Sequence, residues 1–142
     1  MSKFSNKQLM QHVFAEMAKG NLDPFVDILA EDMKWSWMGT ETWTRTFDGK
    51  EAVVNELLAE VKKTLTEPYE ITPQRFITEG NYLVIEHTGK NTTPDGRPYH
   101  NRYCWVCRFS GGKLQEMREY MDTELVTKTF GTGQNPKKTT VI

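Results

Sequence analysis

Asp122 closes the run Glu119-Tyr120-Met121-Asp122, whose residue types could move a proton. A lone carboxylate set on an aromatic wall is poorly solvated. Its pKa rises, and it becomes a usable proton shuttle near neutral pH. Tyr120 lies two residues earlier, hence on the same side of a strand, and could donate a hydrogen bond to a developing oxyanion. Other readings stay open. Asp122 could end its strand in water, or pair with Arg118 on the same face, which would hold its pKa down. Tyr120 could equally be a core residue with its hydroxyl at the rim.

The wall itself comes from an aromatic row. If residues 99–109 form a strand, Tyr99, Asn101, Tyr103, Trp105, Cys107 and Phe109 share one face. Met33, Trp35 and Trp37 alternate in the same way and give a second wall. Trp35, Trp37, Asn101, Tyr103 and Trp105 are therefore candidate ligand contacts, with Arg118 beside them; Asn is disfavoured in strands, which draws attention to Asn101. Glu86 and His87 are neighbours on a strand and must face opposite ways, so one of them turns inward. An inward Glu would couple to Asp122, whereas His is the more usual base. Trp43 sits in a polar loop, as a lid over a cavity or a plug on its rim.

These residues need a scaffold, and the periodicities supply one. Ser5-x-x-Gln8 is a capping box opening a helix with Leu9, Met10, Val13, Phe14 and Met17 at helical spacing. Asp23 caps a short second helix, with Pro24 at its first position. A strand over 33–38 and a polar loop follow. Asp48-Gly49-Lys50-Glu51 is then a second capping box before the longest helix, which carries Val53, Leu57, Val61 and Leu65 and stops near Pro68. Ile71 to Thr78, interrupted by Pro73, suits a sheet edge. Tyr82–Gly89 and a long hairpin from Tyr99 to Val126, turning at Gly111-Gly112, complete a meander. The order is α+β: residues 1–130 form a single domain, and residues 131–142 a polar tail expected to be mobile.

Composition excludes several functions. Lys and Arg total 18 against 19 Asp and Glu, a formal charge of −1, so no basic excess invites nucleic acid or anionic lipid. Apolar runs are too short to span a membrane, and no secretory h-region opens the chain; a cytoplasmic protein is expected. Cys104 and Cys107 are three apart on a strand and point to opposite faces, so neither a redox pair nor a zinc site follows. No metal or cofactor is expected.

Trp35-Ser36-Trp37, Gly49 before the long helix, Gly96-x-x-Tyr99-x-Asn101-x-Tyr103 and Glu119-Tyr120-x-Asp122-Thr123, in this order of elements, resemble the NTF2-like superfamily. Within it the chain looks most like SnoaL-like, ketosteroid-isomerase-related proteins. The resemblance implies a curved, mostly antiparallel sheet wrapped round the long helix, with a deep apolar cavity. In SnoaL-like polyketide cyclases a late-strand Asp is the acid/base of an aldol closure, and the resemblance puts Asp122 at that place. Ketosteroid isomerases add a Tyr and a protonated Asp, and no such second Asp is located here. The Arg-x-Asp pair of limonene-epoxide-hydrolase relatives is absent. The implied function is a cofactor-independent isomerase or cyclase acting on a hydrophobic carbonyl compound; the alternative is a non-catalytic ligand-binding or dimeric interaction module. A homodimer is expected through an outer sheet face of Arg102, Cys104, Val106, Met117, Glu119 and Met121.

Overall fold

The computed structural model describes residues 4–131; the expected tail beyond them lies outside the described residues. Helix α1 (Asn6–Ala18) starts as the capping box predicts: the Gln8 amide donates to Ser5 Oγ at 3.1 Å and the Ser5 amide to Gln8 Oε1 at 3.0 Å. Its apolar stripe of Met10, Val13, Phe14 and Met17 is buried. Helix α2 (Asp23–Ile28) begins one residue earlier than expected, with Asp23 inside the helix and Leu22 in the cap position. The longest helical run, 50–64, is α-helical at Lys50–Ala52, π-helical at Val53–Leu58 and α-helical again at Ala59–Thr64. Gly49 caps it at φ 100° with no side-chain bond, so the second capping box does not form.

Six strands build one sheet in the order β2-β1-β8-β7-β4-β3: β1 (Leu29–Trp37), β2 (Arg45–Asp48), β3 (Ile71–Glu79), β4 (Tyr82–Gly89), β7 (Arg102–Ser110) and β8 (Lys113–Met121). A short ribbon of β5 (Asn91–Thr92) and β6 (Pro98–Tyr99) stands apart. All neighbours are antiparallel except β1 and β8. Pro73 does sit on an edge strand, where a missing N–H costs little. The polar composition before Asp48 predicts a loop, but strand β2 forms there, because its one buried residue, Phe47, is enough to dock it beside Trp35. The core lies between the concave sheet face and the helices, with Phe14, Phe25, Phe47, Val53, Leu57, Phe109 and Met117 fully or almost fully buried.

The β7–β8 hairpin departs from the sequence reading in a way that decides the site. Its turn is as expected: Gly111 and Gly112 have φ of 57° and 78°, the pair of left-handed residues a two-residue hairpin needs. Phe109 pairs with Leu114, but Arg108 pairs with Glu116, so Gln115 has no opposite number. This β-bulge reverses the alternation of everything after it. Met117, Glu119 and Met121 face inward; Arg118, Tyr120 and Asp122 do not. The outer face therefore presents Arg102, Cys104 and Val106 beside Glu116, Arg118 and Tyr120, and three of the residues expected there are on the other side.

Strand β8 also ends earlier than Val126. Thr123–Phe130 is a helix, α4 in an order that counts 50–64 as α3. Leu125, Val126 and Phe130 turn its apolar side onto Tyr99, Leu65 and Trp43.

Candidate functional site

The concave face does not fill completely. It leaves a cavity of about 820 Å³ whose lining is mostly apolar, within the size range of small-molecule sites. Trp35 and Trp37 of β1, His87 of β4, Tyr103 and Trp105 of β7, and Glu119 and Met121 of β8 form the floor. Leu57, Leu58 and Val61 of the long helix form the roof, and Trp43, Leu65, Tyr69, Val126 and Phe130 stand on one side. Trp35 and Trp105 meet edge to face, ring centres 5.4 Å apart, and Phe25 stacks on Trp105 at 5.6 Å. These contacts hold the rings as a rigid wall without closing the void.

Glu119 is the buried carboxylate of this wall, 6% exposed. Its position follows from register: it lies opposite Trp105 on β7 and Trp37 on β1. The Trp105 indole donates to Oε2 at 2.8 Å and the Trp35 indole to Oε1 at 3.2 Å. Burial pushes its pKa up to about 7, against the pull of the Trp105, Trp35 and Trp37 indoles, which favour the charged form. The result is a carboxyl group poised to give or take a proton near neutrality.

The other candidates divide cleanly. Trp35, Trp37, Tyr103 and Trp105 line the cavity as expected, and His87 rather than Glu86 faces in. His87 is 2% exposed, stacks on Tyr103 at 5.0 Å and meets the Trp105 edge at 4.5 Å. Neither of its nitrogens has a partner, and burial drives its pKa down to about 3, so it stays neutral. Glu86 is on the outer face in an ion pair with Arg75 at 2.8 Å, and Arg118 is outside with Glu116 at 3.8 Å. Tyr120 is 44% exposed on that face. Asn101 is buried but is a strut rather than a wall residue. Its amide donates to the Tyr99 hydroxyl at 2.9 Å and the Asp122 carbonyl at 3.2 Å, and accepts from the Asp122 amide at 3.1 Å.

Asp122 is exposed, and its carboxylate accepts from the Leu125 amide at 3.1 Å as the N-cap of the C-terminal helix. It does not line the cavity. The reading of Asp122 as a proton shuttle fails for that reason: the bulge at Gln115 puts its strand position on the wrong side. The same bulge hid Glu119. A signal was present in Leu114 and Met117, two apolar residues at an odd spacing that unbroken alternation cannot bury together.

Tyr99 and Tyr103 complete the polar inventory. Burial raises both phenols, Tyr99 to about 12, and the Tyr99 hydroxyl accepts from the Asn101 amide. Both remain protonated donors. Among the described residues no cluster of His, Cys, Asp and Glu could hold a metal ion, and no helix is long and apolar enough to cross a membrane.

A strongly curved six-stranded sheet closed by helices round one apolar hollow defines the NTF2-like class of α+β protein. Within that class the chain belongs to the SnoaL-like domain family, whose model matches residues 10–117. Solved structures agree on the fold. An NTF2-like protein of unknown function from Burkholderia pseudomallei superposes with a TM-score of 0.77 at 22% identity, covering 91% of this chain and 98% of that one. A candidate SnoaL-like polyketide cyclase from Jannaschia gives 0.73 at 13% identity, covering 92% and 98%. A candidate isomerase from Bacillus subtilis gives 0.70 at 19%, covering 94% and 98%. No curated protein sequence matches the chain.

Proposed function

We propose that the cavity binds a hydrophobic, carbonyl-bearing small molecule and that Glu119 moves a proton at the carbon beside that carbonyl. The observation that carries this reading is Glu119 itself: a nearly inaccessible carboxyl group, held by two indole N–H donors, that titrates near neutrality on an apolar wall. In its charged form it takes the proton from carbon while negative charge develops on the carbonyl oxygen. The Tyr99 and Tyr103 hydroxyls are donors of the kind that stabilise such charge. Return of the proton to another carbon completes an isomerisation; attack of the enolate carbon on a second carbonyl, with the proton passed from Glu119 to the alkoxide oxygen so formed, completes a ring closure. The likeness to a candidate isomerase and a candidate polyketide cyclase supports the same class of chemistry.

A thermal-shift screen against ketones, steroids and aromatic polyketides identifies the binders. Deuterium exchange at the α-carbon of a bound ketone then reads the chemistry. The wild type exchanges, and Glu119→Gln slows exchange by about 100-fold or more while still binding. Equal exchange by the variant would move the base away from Glu119 and leave it only orienting the indoles, and no exchange by the wild type would leave a non-catalytic binding module. We also propose that the outer face, where Ile77, Val84 and Val106 lie in one row, pairs two copies of the chain; sedimentation equilibrium of wild type and Val106→Lys tests this.

A further inference from the structure

The charged residues of the cavity lining are unequally divided. Asp23, Glu60, Glu67 and Glu70 face Lys62 alone on its open side, and all but the half-buried Glu60 are exposed. Among the described residues none of the four acids is in an ion pair; the eight pairs in the molecule all involve other carboxylates. Deeper in, among the described residues, the one charged group is another acid, Glu119, and the one histidine is His87, buried, neutral and without a partner for either nitrogen. Among the described residues no lysine or arginine lines the floor. An anionic ligand would have to pass a negative mouth and come to rest with no counter-charge, beside a carboxylate. A cation meets the opposite conditions. Tyr69 and Trp43, half-buried in one apolar cluster beside Leu65, line the same cavity as Glu67 and Glu70, and their rings are aromatic surfaces that a cation can use.

We propose that the substrate carries a protonated amine as well as its carbonyl: the apolar body and carbonyl enter the cavity toward Glu119, and the ammonium stays at the mouth between Glu60, Glu67, Glu70 and the rings of Trp43 and Tyr69. This rests on the reading of the cavity as a ligand site and adds the charge class of the ligand. The arrangement has a kinetic side, since a mouth of one sign attracts the opposite sign from solution and does so less as salt is added.

Isothermal titration at about pH 8 with three probes of matched length tests it: 4-phenylbutylamine, 4-phenylbutanol and 5-phenylpentanoate. The amine binds about fivefold to tenfold more tightly than the alcohol at low salt, and the carboxylate binds most weakly. Glu60→Gln/Glu67→Gln/Glu70→Gln removes the amine preference and its salt dependence while the alcohol binds as before. Glu119→Gln keeps the preference; its loss there would move the cation to the cavity floor and overturn the assignment to the mouth. A carboxylate that binds as well as the amine, or an amine no better than the alcohol, overturns the inference. If the three probes fail but hydrophobic ketones still stabilise the protein, this inference alone falls. If ketones fail as well, the ligand site falls with it.

Discussion

Glu119 and Asp122 stand three residues apart at the end of one strand, and their surroundings differ as much as two carboxylates can. Glu119 is 6% exposed between two indoles, its pKa raised to about 7 by the loss of water. Asp122 is in solvent, spending its charge on one backbone amide at the start of a helix. Chain position does not separate them, since both are late-strand acids next to the same aromatic hairpin. What separates them is the parity of one strand, and a single unpaired residue, Gln115, sets that parity. An acid's chemistry here is decided by which way the backbone presents it.

The largest expected effect attacks that parity directly. Insertion of an alanine between Met117 and Arg118 moves the rest of β8 by one residue and turns Glu119 and Met121 outward and Arg118 and Tyr120 into the core, whereas deletion of Gln115 only removes the bulge and leaves Met117 and Glu119 opposite Cys107 and Trp105. Burying an arginine while exposing Met121 and the core-side carboxyl exceeds what a domain of this size tolerates. No cooperative thermal transition is expected by near-UV circular dichroism. An insertion variant that melts like the wild type would show that strand parity does not fix which acid faces the core.

This explains which parts of the molecule the sequence revealed. Strand β7 was legible because its alternation is unbroken, so Tyr103, Trp105, Cys107 and Phe109 are all inward or half-buried as read. Trp35 was legible for the same reason, and α1 because its capping box and apolar stripe agree with each other, whereas the choice between Glu86 and His87 was left to the structure. The wall of the site was thus visible and its acid was not. A bulge carries no composition of its own: Gln115 is an ordinary exposed-strand residue, and only the odd spacing of Leu114 and Met117 betrays it. The C-terminal helix escaped because one residue does two things. Asp122, read as the end of a strand, is also a good N-cap, with Leu125, Val126 and Phe130 at helical spacing behind it.

The next test sharpens the comparison through pH. Folded Glu119 keeps its proton up to about pH 7, whereas its ordinary value is 4.5. Folding therefore takes up a proton between these values, and stability falls as pH rises through that window. His87 runs the other way, since its ordinary value of 6.5 drops to about 3 on burial. The unfolded chain binds the extra proton, and stability rises with pH across 3 to 6.5. Where the windows overlap the slopes offset, so the wild type shows little pH dependence from these two groups. Glu119→Gln uncovers the rise due to His87, and His87→Phe uncovers the fall due to Glu119, on the order of 3 kcal/mol. Urea titrations at several pH values measure both. Parallel curves for all three proteins would place Glu119 and His87 in contact with water.

Trp105→Phe gives a smaller change. It keeps the ring stacked on Phe25 but deletes the 2.8 Å donor to Glu119. A lost bond to a buried carboxylate costs about 1–3 kcal/mol when that group is charged, so destabilisation grows as pH rises past 7. The pKa of Glu119 moves further up, because the strongest interaction favouring its charged form has gone. Carboxyl titration followed by carbon NMR checks the direction; a downward move would break the account of what holds this acid near neutrality.

Asp122 supplies the control with the smallest expected effect. Asp122→Ala removes the bond to the Leu125 amide and costs about 1 kcal/mol, the usual worth of an N-cap. In a domain of this size that lowers Tm by about 3–5 °C. Asp122→Asn keeps an acceptor at the same place and loses only the charge, and Asn caps helices as well as Asp does. It should leave Tm within about a degree of the wild type and α-proton exchange unaltered. The pair therefore separates a cap from a base: a cap is rescued by Asn, whereas a proton acceptor is not. Loss of exchange in Asp122→Asn with Tm intact would return the chemistry to the exposed acid and leave Glu119 as a structural carboxylate.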